Sequence, residues 1–222
     1  MSSPKSIESK MTCQIPGGFL VAFEGIDGSG KTTQAELLAK FCSENRLTHL
    51  VSKEPTNGKY GMQIRDSATD GRMSIEDEVE ILLKDRAEHV ENVIAPALKK
   101  EKIVILDRYY FSNAAYQGAH GADAELILAE NERFAPQPDL LILLDISARA
   151  GIARIRSRGD QPNKFETIES LERARLIFKQ VQRPYKHEVD GEAGIEQISA
   201  SVRNLFQAAV AKKKGGISVT SF

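Results

Sequence analysis

Residues 19–33 read Phe-Leu-Val-Ala-Phe-Glu-Gly-Ile-Asp-Gly-Ser-Gly-Lys-Thr-Thr. An apolar run leads straight into Gly-x-x-x-x-Gly-Lys-Thr, from Gly25 to Thr32, and a helical pattern follows it. A buried strand before and a helix after are the context in which such a match is a P-loop. Glycines let the backbone wrap closely, so its N–H groups can converge on phosphate oxygens. The expected cradle is Gly25, Ile26, Asp27, Gly28, Ser29, Gly30, Lys31, Thr32 and Thr33. Lys31 supplies a point charge for the outer phosphates, and the Thr32 hydroxyl is placed to ligate Mg2+. The helix that begins at the loop turns its partly positive end towards the same anion.

Outward from the loop, strands are expected at Phe19–Glu24, Thr48–Val51, Ile103–Leu106 and Leu140–Leu144, with a weak fifth at Glu188–Asp190. Helical patterns cover Lys31–Asn45, Ile75–Lys100, Asp123–Phe134, Ser147–Ser157, Ile168–His187 and Ile195–Ala211. In the first of these Leu37, Leu38 and Phe41 share a face. Near-continuous apolar strands belong to parallel sheets covered on both sides. The alternation therefore predicts an α/β three-layer sandwich, a five-stranded parallel sheet flanked by helices. Ligands in such sheets bind beyond the carboxyl ends of the strands. There the third strand ends in Asp107-Arg108-Tyr109. Asp107 is placed to hold Mg2+ or its waters, and Arg108 can clamp a phosphate with two prongs. Gly159–Lys164 has loop composition between two helices and is a candidate lid. Arg154, Arg156 and Arg158 bring positive charge beside it, with 154 and 158 on one helix face.

At 222 residues, 41% hydrophobic and 27% charged, the chain can bury one full core. A net charge of −1 supplies no field that would draw it to nucleic acid or a membrane surface. No window approaches the length of a membrane span. Cys13 and Cys42 are too few for a disulfide framework or a zinc site, which points to a reducing, cytoplasmic setting. The expected organisation is a loose polar arm over 1–18, a domain over 19–210 with its lid at about 154–166, and a tail over 211–222 in which Lys212–Lys214 is solvated.

The segment from Asp107 through Ser112, Tyr116 and Gln117 to Gly118 reads Asp-Arg-Tyr-x-x-Ser-x-x-Ala-Tyr-Gln-Gly. It closely resembles the thymidylate kinase family of P-loop nucleoside monophosphate kinases. Phe23–Gly28, Glu54-Pro55-Thr56, Arg86-Ala-Glu-His89, Pro138–Asp145 and Arg154–Gly159 agree with it, over about residues 19–208. The resemblance implies that fold, the reaction ATP + dTMP → ADP + dTDP, and the cofactors ATP and Mg2+. It also implies small nucleotides as partners and a homodimer. By the same resemblance Lys31 and Thr32 serve ATP and the metal, together with Asp107. Asp27 takes the sugar 3′-hydroxyl, Arg108 the acceptor phosphate, and Arg86 the base edge. Tyr116 packs where a 2′-hydroxyl would sit. Glu54, Leu82, Ser112 and Gln117 complete the acceptor pocket, while Arg154 and Arg158 carry charge to the transferring phosphoryl group.

Three features depart from the family pattern. Leu82 stands where an aromatic residue stacks on the base in much of the family. The turn after the second strand reads Glu-Pro-Thr-Asn-Gly. Lys164 stands where an Arg is common, beside an apparent one-residue insertion around Pro162; Gly28-Ser29 lies where some family members carry an Arg, which shifts the charge requirement to the arginines of 154–158. The first two keep open the same fold acting on a different nucleotide or nucleoside; a rival from another class is a nucleotide-gated switch with a protein partner. The four histidines, His49, His89, His120 and His187, receive no chemical role.

Overall fold

A computed structural model describes residues 14–71, 73–159 and 167–215. Its strands are β1 (Phe19–Glu24), β2 (His49–Lys53), β3 (Ile103–Asp107), β4 (Leu140–Asp145) and β5 (Lys186–Asp190). They form one parallel sheet in the order β2-β3-β1-β4-β5. The expected α/β sandwich is therefore present, with the weak fifth strand at one edge. The chain reverses direction of travel across the sheet at β1, between β3 and β4, so the crevice opens directly above the P-loop.

Period-two alternation sends successive strand residues to opposite faces. Leu20, Ala22, Val104, Leu106, Leu141 and Leu143 face one layer of helices: α4 (Ala95–Lys99), α5 (Tyr110–Ala119), α6 (Ala124–Glu132), α7 (Ala148–Ser157) and α8 (Ile168–Gln180). Phe19, Val21, Phe23, Ile105, Ile142 and Leu144 face α1 (Lys31–Glu44) and α9 (Ile195–Lys213). There Phe19 and Phe206 meet edge to face, 5.5 Å apart. The buried stripe of α1 is Gln34, Ala35, Leu38 and Cys42. Leu37 and Phe41 lie at its margin instead of sharing the core face equally with Leu38.

Two expected helices change, and two further ones emerge. The long Ile75–Lys100 helix is α3 (Ile75–His89), a π-helical turn over Val90–Ile94, then α4. Pro96 opens α4 and has no N–H to continue the α ladder. The Ile168–His187 pattern stops at Gln180, because Pro184 precedes β5. Two helices that the pattern did not reveal are α2 (Lys59–Asp70), after the turn that follows β2, and α5, after β3.

The ends are anchored further out than expected. Ile15 is fully buried, and its N–H bonds to Glu101 O at 3.3 Å. α9 runs through Lys213, whose ammonium meets Asp139 at 2.7 Å. Residues 1–13, 160–166 and 216–222 lie outside the described residues, and with them most of the arm, the lid and the tail. Among the described residues no helix is long and apolar enough to cross a membrane.

Candidate active site

The loop after β1 closes tightly on its surroundings. Gly25 has φ 142°, and a Cβ there would sit 2.5 Å from Leu144 O. Gly28, at φ 82°, rests against the backbone of Gly151 on α7, with no room for a side chain. Lys31, in the first turn of α1, folds back over the loop and donates to Gly25 O and Ile26 O, each at 2.9 Å. Burial lowers its pKa from 10.5 to about 8, aided by the neighbouring Arg108 charge. The Thr32 hydroxyl donates to the Asp107 carboxylate at 2.5 Å. Among the described residues no group of three or more His, Cys, Asp or Glu surrounds a metal position. A sparse pair of hard oxygens at the mouth of a phosphate loop fits Mg2+, which keeps waters and fills its shell from phosphate.

β3 delivers Arg108 beside this loop in a strained conformation. Its φ is +71°, unusual without glycine, and its N–H is tied to Phe23 O at 3.0 Å. The next helix, α5, has Tyr109 at its N-cap, and the Tyr109 side chain makes no capping hydrogen bond. Glu24, buried at the end of β1, does so from across the sheet. It accepts from Tyr109 N at 2.8 Å, Ser112 N at 3.1 Å and the Ser112 hydroxyl at 2.6 Å. Burial raises Glu24 to about 7 against the pull of Ser112 and Arg108.

The Arg108 guanidinium then binds the P-loop carboxylate of Asp27, donates to the Ser112 hydroxyl at 3.1 Å, and lies 5.2 Å over the Tyr116 ring. The Tyr116 hydroxyl donates to the other Asp27 oxygen at 2.7 Å. Burial works to raise the Asp27 pKa, but Arg108, Lys31 and Tyr116 outweigh it and hold the carboxyl below its usual range.

Beyond Arg108 opens a cavity of about 390 Å3. Asp27, Glu54, Leu82, Arg86, Arg108, Ser112, Tyr116 and Gln117, all expected at an acceptor pocket, line it together. Glu78, Leu82 and Arg86 form one stripe of α3 at four-residue spacing, all buried. Arg86 donates to Glu54 through Nε at 2.8 Å and to Asn131 Oδ1 at 2.5 Å, and stacks 5.7 Å over Tyr109. His89 meets Glu54 at 3.0 Å and Ser52 at 2.8 Å, so it buttresses that carboxylate. The Glu-Pro-Thr-Asn-Gly turn is held from below: Asp85 accepts from Thr56 N at 2.8 Å and the Thr56 hydroxyl at 2.6 Å. Arg65 caps Thr56 O at 2.6 Å from above.

The family model described as thymidylate kinase matches residues 23–202. The chain belongs to the thymidylate kinase family. It is 52% identical over 204 residues to the thymidylate kinase of Xanthomonas campestris pv. campestris strain B100, spanning 91% of this chain and 89% of that one. It is 49% identical over 207 residues to the thymidylate kinase of Xanthomonas euvesicatoria pv. vesicatoria, spanning 93% and 91%. Against the thymidylate kinase of Akkermansia muciniphila it is 48% identical over 186 residues, spanning 84% and 90%.

In this member of the thymidylate kinase family, the two arginines expected to carry charge to the transferring phosphoryl group differ in placement. Arg154 donates to Gly191 O at 2.8 Å and reaches Gly28 O at 3.5 Å, so it already lies over the P-loop. Arg158 is exposed at the end of α7. Lys164, Pro162 and the rest of the expected lid lie outside the described residues. Ile64, Arg65, Ser67, Glu78, Asn113 and His120 also line the cavity and were not anticipated. Ile64 and Ser67 come from α2, whose polar sequence hides its one inward stripe. Asn113 sits one turn before Gln117 on α5, a spacing that could have exposed it.

Proposed function

We propose that this member of the thymidylate kinase family transfers the γ-phosphoryl group of Mg-ATP to dTMP, giving ADP and dTDP. The observation that carries the reading is the Asp27–Arg108 pair: a carboxylate belonging to the P-loop holds the guanidinium that opens the neighbouring cavity. A second anion bound by Arg108 lies against the first. Phosphoryl transfer requires this alignment of two anions and little covalent chemistry from the protein.

The residues divide the work by position. Lys31 and the loop N–H groups hold the donor phosphates. Thr32 and Asp107 would hold Mg2+, which when bound neutralises charge on the bridging and outer phosphate oxygens. Arg108 grips the acceptor phosphate, whose ionised oxygen attacks without a general base. Asp27 accepts from the sugar 3′-hydroxyl while Tyr116, fixed by Asp27, fills the space of a 2′-hydroxyl. Arg86 donates to the carbonyl of the base, and Leu82 covers its face. Arg154, already at the P-loop, and Arg158, on the same side of α7, add charge to the transferring group.

A panel of nucleoside monophosphates, read by ADP release, tests the acceptor. We expect dTMP first and dUMP a measurable second, because one methyl in an apolar pocket is worth only about 1 kcal/mol. Leu82→Phe should lower KM for dTMP, since aromatic stacking on a base is typically worth about 1–3 kcal/mol and leucine recovers only part of it. A clear preference for a purine monophosphate or an unphosphorylated nucleoside would end this reading.

Donor binding should depend on pH through Lys31. Its ammonium is disfavoured by burial, so the free protein loses that proton near 8 and not near 10.5. The value of kcat/KM for Mg-ATP should therefore fall by about tenfold per pH unit above that point. Lys31→Arg, weaker throughout, should show no such break, because a guanidinium stays charged. A flat profile to high pH in the unmodified protein contradicts the assignment.

A further inference from the structure

Five buried side chains form one hydrogen-bonded chain along the wall of the acceptor cavity. Arg86 Nη1 donates to Asn131 Oδ1 at 2.5 Å. Asn131 Nδ2 donates to Asn113 Oδ1 across a stretched 3.5 Å, and to Ile127 O at 2.7 Å. Asn113 Nδ2 donates to Gln117 Oε1 at 3.0 Å, and Gln117 Nε2 donates to Glu78 Oε2 at 3.1 Å. All five side chains are less than a tenth exposed, so water has little access to replace a lost link.

The two ends differ in kind from the three amides between them. A guanidinium can only donate and an ionised carboxylate can only accept, whereas each amide can turn over and exchange its C=O with its NH2. With a donor at one end and an acceptor at the other, only one setting of the three amides satisfies every link. Reversing any one of them sets two carbonyls or two NH2 groups face to face in a buried place.

From this we infer that Glu78 is a positioning residue that selects the acceptor base: it fixes which way the Gln117 and Asn113 amides face in the cavity. The inference rests on the dTMP reading above. Thymine presents a carbonyl at C4 and an N–H at N3. Cytosine presents an NH2 at C4 and a bare nitrogen at N3, the opposite polarity on the same edge. Amides locked in one setting complement one of these edges and oppose the other. Asn113 and Gln117 line the cavity, so their remaining donors and acceptors are the ones a base meets. Glu78 sits one turn before Leu82 and two before Arg86 on the same stripe of α3, so the two ends of the chain flank Leu82, the residue assigned to the base face. The phosphate end, held by Arg108 and Asp27, is separate from it.

The test compares dTMP with dCMP in the full-length protein. Glu78→Gln keeps the shape but replaces the acceptor-only end with an amide that can itself turn over. The ratio of kcat/KM for dTMP to that for dCMP should fall about tenfold, through a higher KM for dTMP and a lower KM for dCMP, with kcat changed far less. Glu78→Met, which removes the acceptor without a new donor, should do the same and serves if the Gln variant folds poorly. Glu78→Asp keeps an acceptor-only group and should retain most of the discrimination. Gln or Met variants that melt like the parent and keep its dTMP:dCMP ratio would overturn the inference. So would an Asp variant that loses as much as Gln, since that pattern belongs to packing alone. Failure of the dTMP reading shows separately, as a different preferred acceptor for the unmodified protein.

Discussion

Lys31→Ala is expected to lower kcat by about 100-fold or more in a protein that remains folded. The ammonium is almost fully buried and sits on the loop carbonyls of Gly25 and Ile26, so its position is set before any anion arrives. Charge on the transferring oxygens shifts during the reaction, and a cation fixed at that point stabilises the transition state more than the bound donor. Arg108 is no substitute, because Asp27 and Ser112 hold it on the acceptor side. The loss should therefore appear in kcat more than in KM for ATP. Lys31→Arg should recover only part, since a planar fork cannot occupy the space of a compact ammonium that donates in three directions. Steady-state kinetics beside a thermal melt is the measurement. A folded Lys31→Ala protein with near-normal turnover would remove Lys31 from the donor site.

What was legible in the sequence was what is local or strongly patterned. β1, β3 and β4 are buried on both faces, so they read as apolar runs, and the P-loop is encoded within eight successive residues, Gly25–Thr32. Arg108 was legible from its place after β3, but the other acceptor-cavity roles came by resemblance and not by spacing, because those residues follow β1 and β2 or sit on α3 and α5. Features created by distant contacts stayed hidden. Glu24 caps a helix 85 residues away, and nothing near it in the chain announces that role. The turn at Thr56 depends on Asp85, 29 residues on, and α2 owes its place to that turn. Gly61 packs directly on the Thr56 backbone, a contact that no periodicity encodes. Glu78 reads in sequence as one more acidic residue near the start of a helix, yet it is buried because α5 lies across it.

Glu54→Ala should destabilise the protein by about 3–5 kcal/mol, the usual cost of stranding a buried charge. Its partner Arg86 is 2% exposed, with Nε at 2.8 Å and Nη2 at 2.7 Å from the same Glu54 oxygen. His89 holds the other oxygen, so removing Glu54 takes the carboxylate from two buried groups in one step and leaves the Arg86 charge with only the neutral Asn131 amide. For a domain of this size the midpoint of melting should fall by roughly 2–4 °C per kcal/mol, on the order of 10 °C in all. Arg86→Ala should cost a similar amount, since it strands the carboxylate and opens a void beside Tyr109. Replacing both, Glu54→Leu with Arg86→Met, removes both charges at nearly constant volume and should recover much of the stability lost by either single change. It should not recover dTMP binding, because the base then loses the contact assigned to the Arg86 guanidinium. The pair thus separates the two contributions of Arg86: melting reports the ion pair, and KM for dTMP reports the contact with the base. A Glu54→Ala protein that melts within two degrees or so of the parent would show that water or a rearranged side chain reaches Arg86, and that the pair is not the dry contact its geometry describes.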